Sequence, residues 1–273
     1  MTADKEPNAA ERQRWNDAYW ASVWPKREVM TSAVTKMLLS HLDLRAGERV
    51  LDIGSGGGTT TIAAADRVAP GGSIVGADIS VPLVDLARSR AAERQLPSVS
   101  FQVADVQRDT VPGAPFDVAV SQFGVMFFDE PATAFANIRG QLVAGGRLAF
   151  ACWQAIERNP WFVGPAVARF APPPPPPGPG KSPTGPFSLS DPERVSEILA
   201  AAGWRDVRRT PYELTATVDR DAIIDGGQLR FLGVPEDSSD EARRAVDEYL
   251  RPLQTADGRI QAPLSVQIFT AHT

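Results

Sequence analysis

Cysteine and histidine are close to missing from this chain: Cys152 stands alone, and His41 and His272 are the only histidines. A single thiol excludes an internal disulfide and a thiolate metal cluster, so no metal site is expected. Cys152 itself lies in an apolar run and reads as a small buried hydrophobe. Positive charge is also scarce. The net charge is -5, the isoelectric point is near 5.2 and no basic cluster interrupts the balance, which argues against nucleic acid as a partner. No apolar run approaches the length that spans a bilayer. Residues 1–15, MTADKEPNAAERQRW, are charged and carry no apolar segment, so no secretory signal is expected and the cytoplasm is the default location. Internal repeats are absent too. What remains is ordinary for a globular protein: 43% hydrophobic and 22% charged residues, in 273 residues that can bury a sizeable core.

The informative stretch is Val50 to Thr61, VLDIGSGGGTTT. An apolar run ending in a carboxylate (Val50, Leu51, Asp52, Ile53) predicts a buried strand. Glycines at alternate positions (Gly54, Gly56, Gly58) let the backbone turn sharply and approach a ligand. The threonines and TIAAADRVA then start a helix, whose free N–H groups and positive dipole end favour an anion. Strand, glycine loop and helix form the nucleotide-cradling unit of doubly wound α/β folds. A second strand, Ser73 to Ala77, ends in Asp78, near the spacing at which an acidic residue reaches ribose hydroxyls. The dinucleotide fingerprint G-x-G-x-x-G would need glycine at position 59, where this chain has Thr59.

VLDIGSGGGTTT, GADIS, FQVADV, FDVAVSQFGVMFF and LVAGGRLAF follow in that order. Together they resemble the successive motifs of the class I (Rossmann-like) S-adenosylmethionine-dependent methyltransferases. The likeness is strongest to the small-molecule branch that includes the ubiquinone and menaquinone biosynthesis enzymes, and it covers about Glu28 to Trp153. It implies an α/β fold with a doubly wound, seven-stranded, mostly parallel sheet, an antiparallel last strand, an N-terminal helical cap and inserted cap elements. It also implies S-adenosyl-L-methionine as cofactor. By the same resemblance, Gly54, Ser55 and Gly56 accommodate the methionine end, and Asp52 orients that end. Asp78 takes the ribose hydroxyls with Ile79 stacked on adenine, Asp105 and Val106 read the adenine edge, and Gln122 closes the site.

The rest of the chain is divided on the same lines within one domain, 1–273: a lid over 1–27, a cofactor-binding half over 28–153, a proline-rich insertion over 154–190, and C-terminal strands and helices over 191–273. Ala9 to Trp24 reads as a helix carrying Trp15, Tyr19, Trp20 and Trp24, with partners four apart sharing a face. It is either a docked aromatic stripe or a lid, whose rings could attract a sulfonium. A separate helix is expected over Glu28 to Asp43, with His41 near its end. Ser80 caps a helix with Pro82 in its first turn. Val99 to Ala104 and Phe116 to Ser121 are strands, Pro131 opens a helix through Val143, and Arg147 to Trp153 is the fifth strand. Six consecutive prolines, Pro172 to Pro177, favour extended, exposed chain. Asp191-Pro192 caps a helix stopped by Gly203. A strand over Asp206 to Val218, helices over Asp219 to Leu232 and Ser239 to Leu250, and a last strand over Ile260 to Ala271 complete the fold.

For the acceptor, Tyr19, Trp20, Phe123, Met126, Phe127 and Trp153 are the pocket candidates, with Trp161 and Phe162 as further walls. These aromatics suggest a small, apolar or ring-bearing acceptor. Neither histidine lies at an expected strand tip, so no histidine base is assigned. A carboxylate, a tyrosine such as Tyr19, or water removes the proton, or the acceptor loses it readily, which favours O- or C-methylation. The Asn/Asp-Pro-Pro-aromatic motif of many amino-group methylases is missing after the fourth strand, and one cysteine cannot serve arsenic methylation. A homodimer is left open. The alternatives are a S-adenosylmethionine-binding protein with a cyclase or structural role and, on weaker grounds, an NAD-dependent oxidoreductase.

Overall fold

The computed structural model describes residues 8–173, 176–178, 180–225 and 227–273. Residues 1–7 of the expected lid, Pro174 and Pro175 of the proline run, Pro179 and Gly226 lie outside the described residues.

Seven strands form one sheet: β1 (Arg49–Ile53), β2 (Ser73–Asp78), β3 (Val99–Val103), β4 (Phe116–Gln122), β5 (Leu142–Trp153), β6 (Arg205–Val218) and β7 (Ile260–His272). Their order is β3-β2-β1-β4-β5-β7-β6. The first five run parallel, while β7 is antiparallel to both β5 and β6 and lies between them. The short apolar strands owe their position to burial on both faces: Val50, Leu51, Val118, Ala119 and Val120 are fully buried. β6, at the edge, alternates exposed and half-buried positions and carries Arg205, Arg208, Arg209 and Glu213, charges that discourage pairing with another chain. The chain leaves β1 toward β2 and β3, then returns to β4 on the other side. The crevice beyond the carboxyl ends of β1 and β4 is therefore the switch point at which open α/β sheets bind ligands.

The helices are α1 (Ala9–Trp15), α2 (Ala18–Ser40), α3 (Thr59–Val68), α4 (Val81–Glu93), α5 (Pro131–Gly140), α6 (Gly164–Val167), α7 (Pro192–Ala201), α8 (Arg220–Ile223) and α9 (Ser239–Leu250). Ser80 and Asp191 cap α4 and α7 as expected, accepting from the N–H groups of Leu83 and Glu193. The N-terminal region differs from expectation. The break falls at Asn16 and Asp17, not near residue 27, because the Asp17 carboxylate accepts from the Tyr19 N–H (2.9 Å) and starts a new helix there. α2 then runs unbroken through Pro25 to Ser40, so lid and first core helix are one rod, and Trp15 and Tyr19 do not share a helix. The helix expected over Asp219 to Leu232 is also interrupted. The Asp225 carboxylate accepts from the N–H groups of Gly227 (3.0 Å) and Gln228 (3.1 Å), a side-chain turn that separates α8 from a 3-10 turn at Gln228–Leu232. After the proline run, the chain is tied back to the strand tips. Ser182 and Gly185 donate backbone N–H groups to Asp129 and Met126, and Thr184 bonds Glu11.

Candidate functional site

The loop after β1 turns at Gly54, with φ +65, because it crosses the loop after β4 at contact distance. A Cβ on Gly54 would lie 2.6 Å from the Gly124 Cα, which makes Gly124 a second required glycine that the sequence motifs did not single out. The loop is held to β2 by the N–H groups of Gly54 and Ser55, both donating to the Ala77 carbonyl (2.8 and 3.1 Å). Gly56 (φ +52) has a different neighbour: the indole of Trp24 would stand 2.3 Å from a Cβ there. The loop's freedom from side chains thus admits an indole from α2.

Three carboxylates line the strand tips. Asp52, the penultimate residue of β1, is 1% exposed. Its Oδ2 accepts from the Thr61 hydroxyl (2.6 Å), while Oδ1 is buried without a partner. Burial, reinforced by the neighbouring Asp78 charge, pushes its carboxyl up to about 7 against the bond from Thr61. Asp78 ends β2, accepting from the N–H groups of Gly56 (2.7 Å) and Ser80 (2.9 Å); burial raises it in spite of those bonds. Asp105 follows β3 and is raised for the same reason. It accepts from the Asn8 amide through both oxygens (2.9 and 3.1 Å) and from the Gln107 N–H (3.1 Å), with Arg12 at 3.9 Å.

α1 lies across these tips. The Trp15 carbonyl accepts from the Ser80 hydroxyl (2.6 Å), and the Asn16 side chain bonds both the Ile79 carbonyl and the Val81 N–H. Ile79 is half-buried under it. Val106 is buried, its carbonyl taken by Asn137. Gln122 stands between the Thr60 hydroxyl (3.4 Å) and the Thr31 carbonyl of α2 (3.5 Å). Ser55 Oγ and Trp24 Nε1, like Asp52 Oδ1, are buried polar atoms without a partner. One acceptor and two potential donors left unpaired around a single loop is a concentration that native interiors avoid.

Beyond the tips the aromatics form two groups. Phe123, held at φ +64, stacks on Trp153 with centroids 4.2 Å apart, and Trp153 packs on Trp161 at 4.8 Å. Trp15 bridges Trp20 (4.8 Å), Phe127 (5.1 Å) and Trp24 (6.5 Å), and Trp20 continues to Phe231 at 4.8 Å. Two expectations change here. Met126 is 2% exposed and sits in the hydrophobic core, because the backbone after β4 turns inward and its carbonyl is fixed by the Ser188 hydroxyl (2.5 Å). Tyr19 is no candidate base: its hydroxyl bonds Asp225, and burial together with that carboxylate pushes the phenol far above its ordinary value. The histidines lie apart from the tips. His41 is the C-cap of α2 and bonds the Tyr212 hydroxyl (2.7 Å), and His272 lies opposite Arg147 in the β5–β7 register, at the end of the sheet away from the tips.

Comparison with known proteins decides the family. A methyltransferase domain family matches residues 50–146. Nocamycin O-methyltransferase of Saccharothrix syringae is 32% identical over 189 residues, 66% of this chain and 68% of that enzyme. The chain belongs to the class I S-adenosylmethionine-dependent methyltransferases. A demethylmenaquinone methyltransferase of Deinococcus radiodurans is 28% identical over 229 residues, 75% of this chain and 92% of that one. In fold, the chain resembles the YcgJ protein of Bacillus subtilis, with a TM-score of 0.61 at 18% identity over 88% of this chain and 98% of that one. The protein is therefore a S-adenosylmethionine-dependent methyltransferase, and the oxidoreductase reading falls away. Among the described residues no helix is long and apolar enough to cross a membrane.

The strand tips of this methyltransferase fit its cofactor in kind. S-Adenosylmethionine brings cationic charge and several N–H and O–H donors. The tips offer three buried carboxylates, one of them with an unpaired oxygen, and an unpaired serine hydroxyl. Sequence reasoning missed Asn8, Asn16, Thr61 and Gly124. Nothing in the sequence order shows that the Asn8 side chain reaches Asp105, 97 positions away.

Proposed function

We propose that this methyltransferase transfers the methyl group to an oxygen or carbon nucleophile of an apolar, ring-bearing small molecule. The observation that carries the reading is the stacked Phe123–Trp153 pair at the tips of β4 and β5, with no histidine beside it. Flat aromatic walls recognise flat apolar ligands, and a site without a histidine base suits acceptors that give up a proton readily. When bound, S-adenosylmethionine supplies a methyl group already activated by the sulfonium, so alignment and exclusion of water are what the protein contributes.

In this reading Asp52 and the Gly54–Ser55–Gly56 loop hold the methionine end. Asp78 accepts from the ribose hydroxyls and Ile79 covers the adenine. Asp105 and the Val106 N–H read the adenine edge, and Gln122 closes the site beneath α2. Tyr19 and Phe127 belong to the acceptor side, backed by the buried Trp20 and Trp153, with Phe123 between the two. Asn8 presents to Asp105 an amide N–H donor of the same kind as the adenine amine, and Trp24 covers the glycine loop. α1 and the start of α2 thus exchange protein contacts for cofactor contacts on loading.

Two measurements test this. S-Adenosylhomocysteine should raise the melting temperature by mass action, and labelled methyl groups should pass to phenols, enols or activated ring carbons. Transfer confined to small, highly polar acceptors would overturn the acceptor assignment. Asn8→Ala removes a competitor for Asp105. S-Adenosylhomocysteine should then bind a few-fold more tightly by calorimetry, since a bond to a charged group is worth about 1.5–3 kcal/mol, part of it offset by looser packing of α1. Weaker binding would mean that Asn8 supports the loaded state instead.

A further inference from the structure

Arg27 stands on the face of α2 that carries Trp20 and Trp24, packed between Trp20 and the Ile223–Gln228 segment. At 3.6 residues per turn, Trp20, Trp24, Arg27 and Thr31 fall within an arc of about 60°. Each of the other three marks that face: Trp20 is buried against Trp15 and Phe231, Trp24 lies on the glycine loop, and the Thr31 carbonyl accepts from Gln122. The guanidinium lies 5.6 Å from the centre of the Trp20 ring. One of its nitrogens, Nη1, donates to the Gln228 side chain and the Ile223 carbonyl. Among the described residues, Nε and Nη2 have no acceptor and no carboxylate pairs with Arg27.

The charges around Arg27 are otherwise paired. On the same turn of helix, Lys26 pairs with Asp221 and Glu28 with Arg90, and nearby Arg230 pairs with Asp17. The nearest carboxylate, Asp225, is committed to the Tyr19 hydroxyl and to two backbone N–H groups. Where a counter-ion would be expected, the chain places the neutral amide of Gln228, itself buried. A half-buried guanidinium is stabilised by an anion, and its planar fork suits a carboxylate or a comparable oxyanion. Burial works against its charge in the free protein, which a bound anion would reverse.

We propose that Arg27 is a specificity-determining residue of the acceptor site, where its free donors take an oxyanion carried by the aromatic acceptor, a carboxylate or an acidic enol. The assignment rests on the aromatic-acceptor reading above and narrows it to acidic substrates. The test uses two probe pairs with the S-adenosylhomocysteine-loaded protein, read by quenching of tryptophan fluorescence: 2-naphthoate against 2-naphthamide, and 2-hydroxy-1,4-naphthoquinone against its methyl ether. The wild type should bind at least one anion tenfold or more tightly than its neutral partner. Arg27→Met should reduce that ratio to within twofold, Arg27→Lys should keep part of it, and melting temperature and S-adenosylhomocysteine affinity should hold in both. The pair that shows the preference identifies the oxyanion as carboxylate or enolate. If Arg27→Met loses melting temperature, Arg27→Gln gives the same comparison with a side chain that can still bond Gln228. No preference in the wild type, no binding of any probe, or a preference that survives loss of the guanidinium would overturn the proposal. Failure of S-adenosylhomocysteine to bind would count against the cofactor assignment alone, because the acid-to-neutral ratio can be measured without it.

Discussion

Asp78→Ala is expected to weaken S-adenosylhomocysteine binding at least a hundredfold by calorimetry, about 2.7 kcal/mol, and to abolish most of the ligand-induced rise in melting temperature. Two losses combine. The proposed partner of the ribose hydroxyls disappears, and so does the acceptor that fixes the Gly56 and Ser80 N–H groups at 2.7 and 2.9 Å. A hydrogen bond from a neutral donor to a charged acceptor is worth about 1.5–3 kcal/mol, so either loss alone approaches the stated effect. Asp78→Asn separates them. The amide retains one acceptor for the loop but lacks the second acceptor and the charge, so melting temperature should recover more than affinity does. Binding by Asp78→Ala within threefold of wild type would remove Asp78 from the cofactor site.

The cofactor half was largely legible because it is built locally. VLDI, SIVGA and FDVAV are short apolar runs that a doubly covered parallel sheet requires, and the residues at their carboxyl ends follow by counting. The same holds for α4 and α7, where capping side chain and first-turn proline stand next to each other in sequence. The lid was less legible, since its contacts join residues far apart in the chain. Asn8 meets Asp105, Trp24 meets Gly56, and the turn that ends α8 depends on one aspartate accepting from two backbone donors. From Ala18 on, the two helices expected over Ala9 to Trp24 and Glu28 to Asp43 also share one rod. Proline usually ends a helix, yet α2 passes through Pro25, its outer face exposed there and its inner face packed on the strand tips. Met126 shows the limit of counting after a strand: Phe123, Met126 and Phe127 were expected on the acceptor side, but Met126 enters the core while Phe123 and Phe127 stay partly exposed, following a backbone turn that no periodicity announces.

Asp52 should make both stability and cofactor affinity depend on pH, in opposite senses. Its carboxyl stands at about 7 in the folded protein against an ordinary 3.8, so the folded chain holds a proton that the unfolded chain has released. A raised folded value contributes stability that is fully present below the unfolded value and is lost as pH rises through the folded one. A gap of about three pH units corresponds to roughly 4 kcal/mol, and the carboxylate is too deeply buried for water to screen much of that. The cofactor-free protein should thus melt several degrees lower at pH 8 than at pH 5, and Asp52→Asn, which cannot ionise, should flatten that dependence. Binding runs the other way. If the carboxylate faces the cationic methionine end, it must be ionised to bind well, and below pH 7 that requires giving up its proton. S-Adenosylhomocysteine affinity should then rise by up to tenfold per pH unit between pH 5 and 7 and level off above it, with proton release visible as a buffer-dependent binding enthalpy. A wild-type profile as flat as that of Asp52→Asn would place the cofactor's positive charge elsewhere, because among the described residues no other carboxylate at these tips keeps a buried, unpaired oxygen.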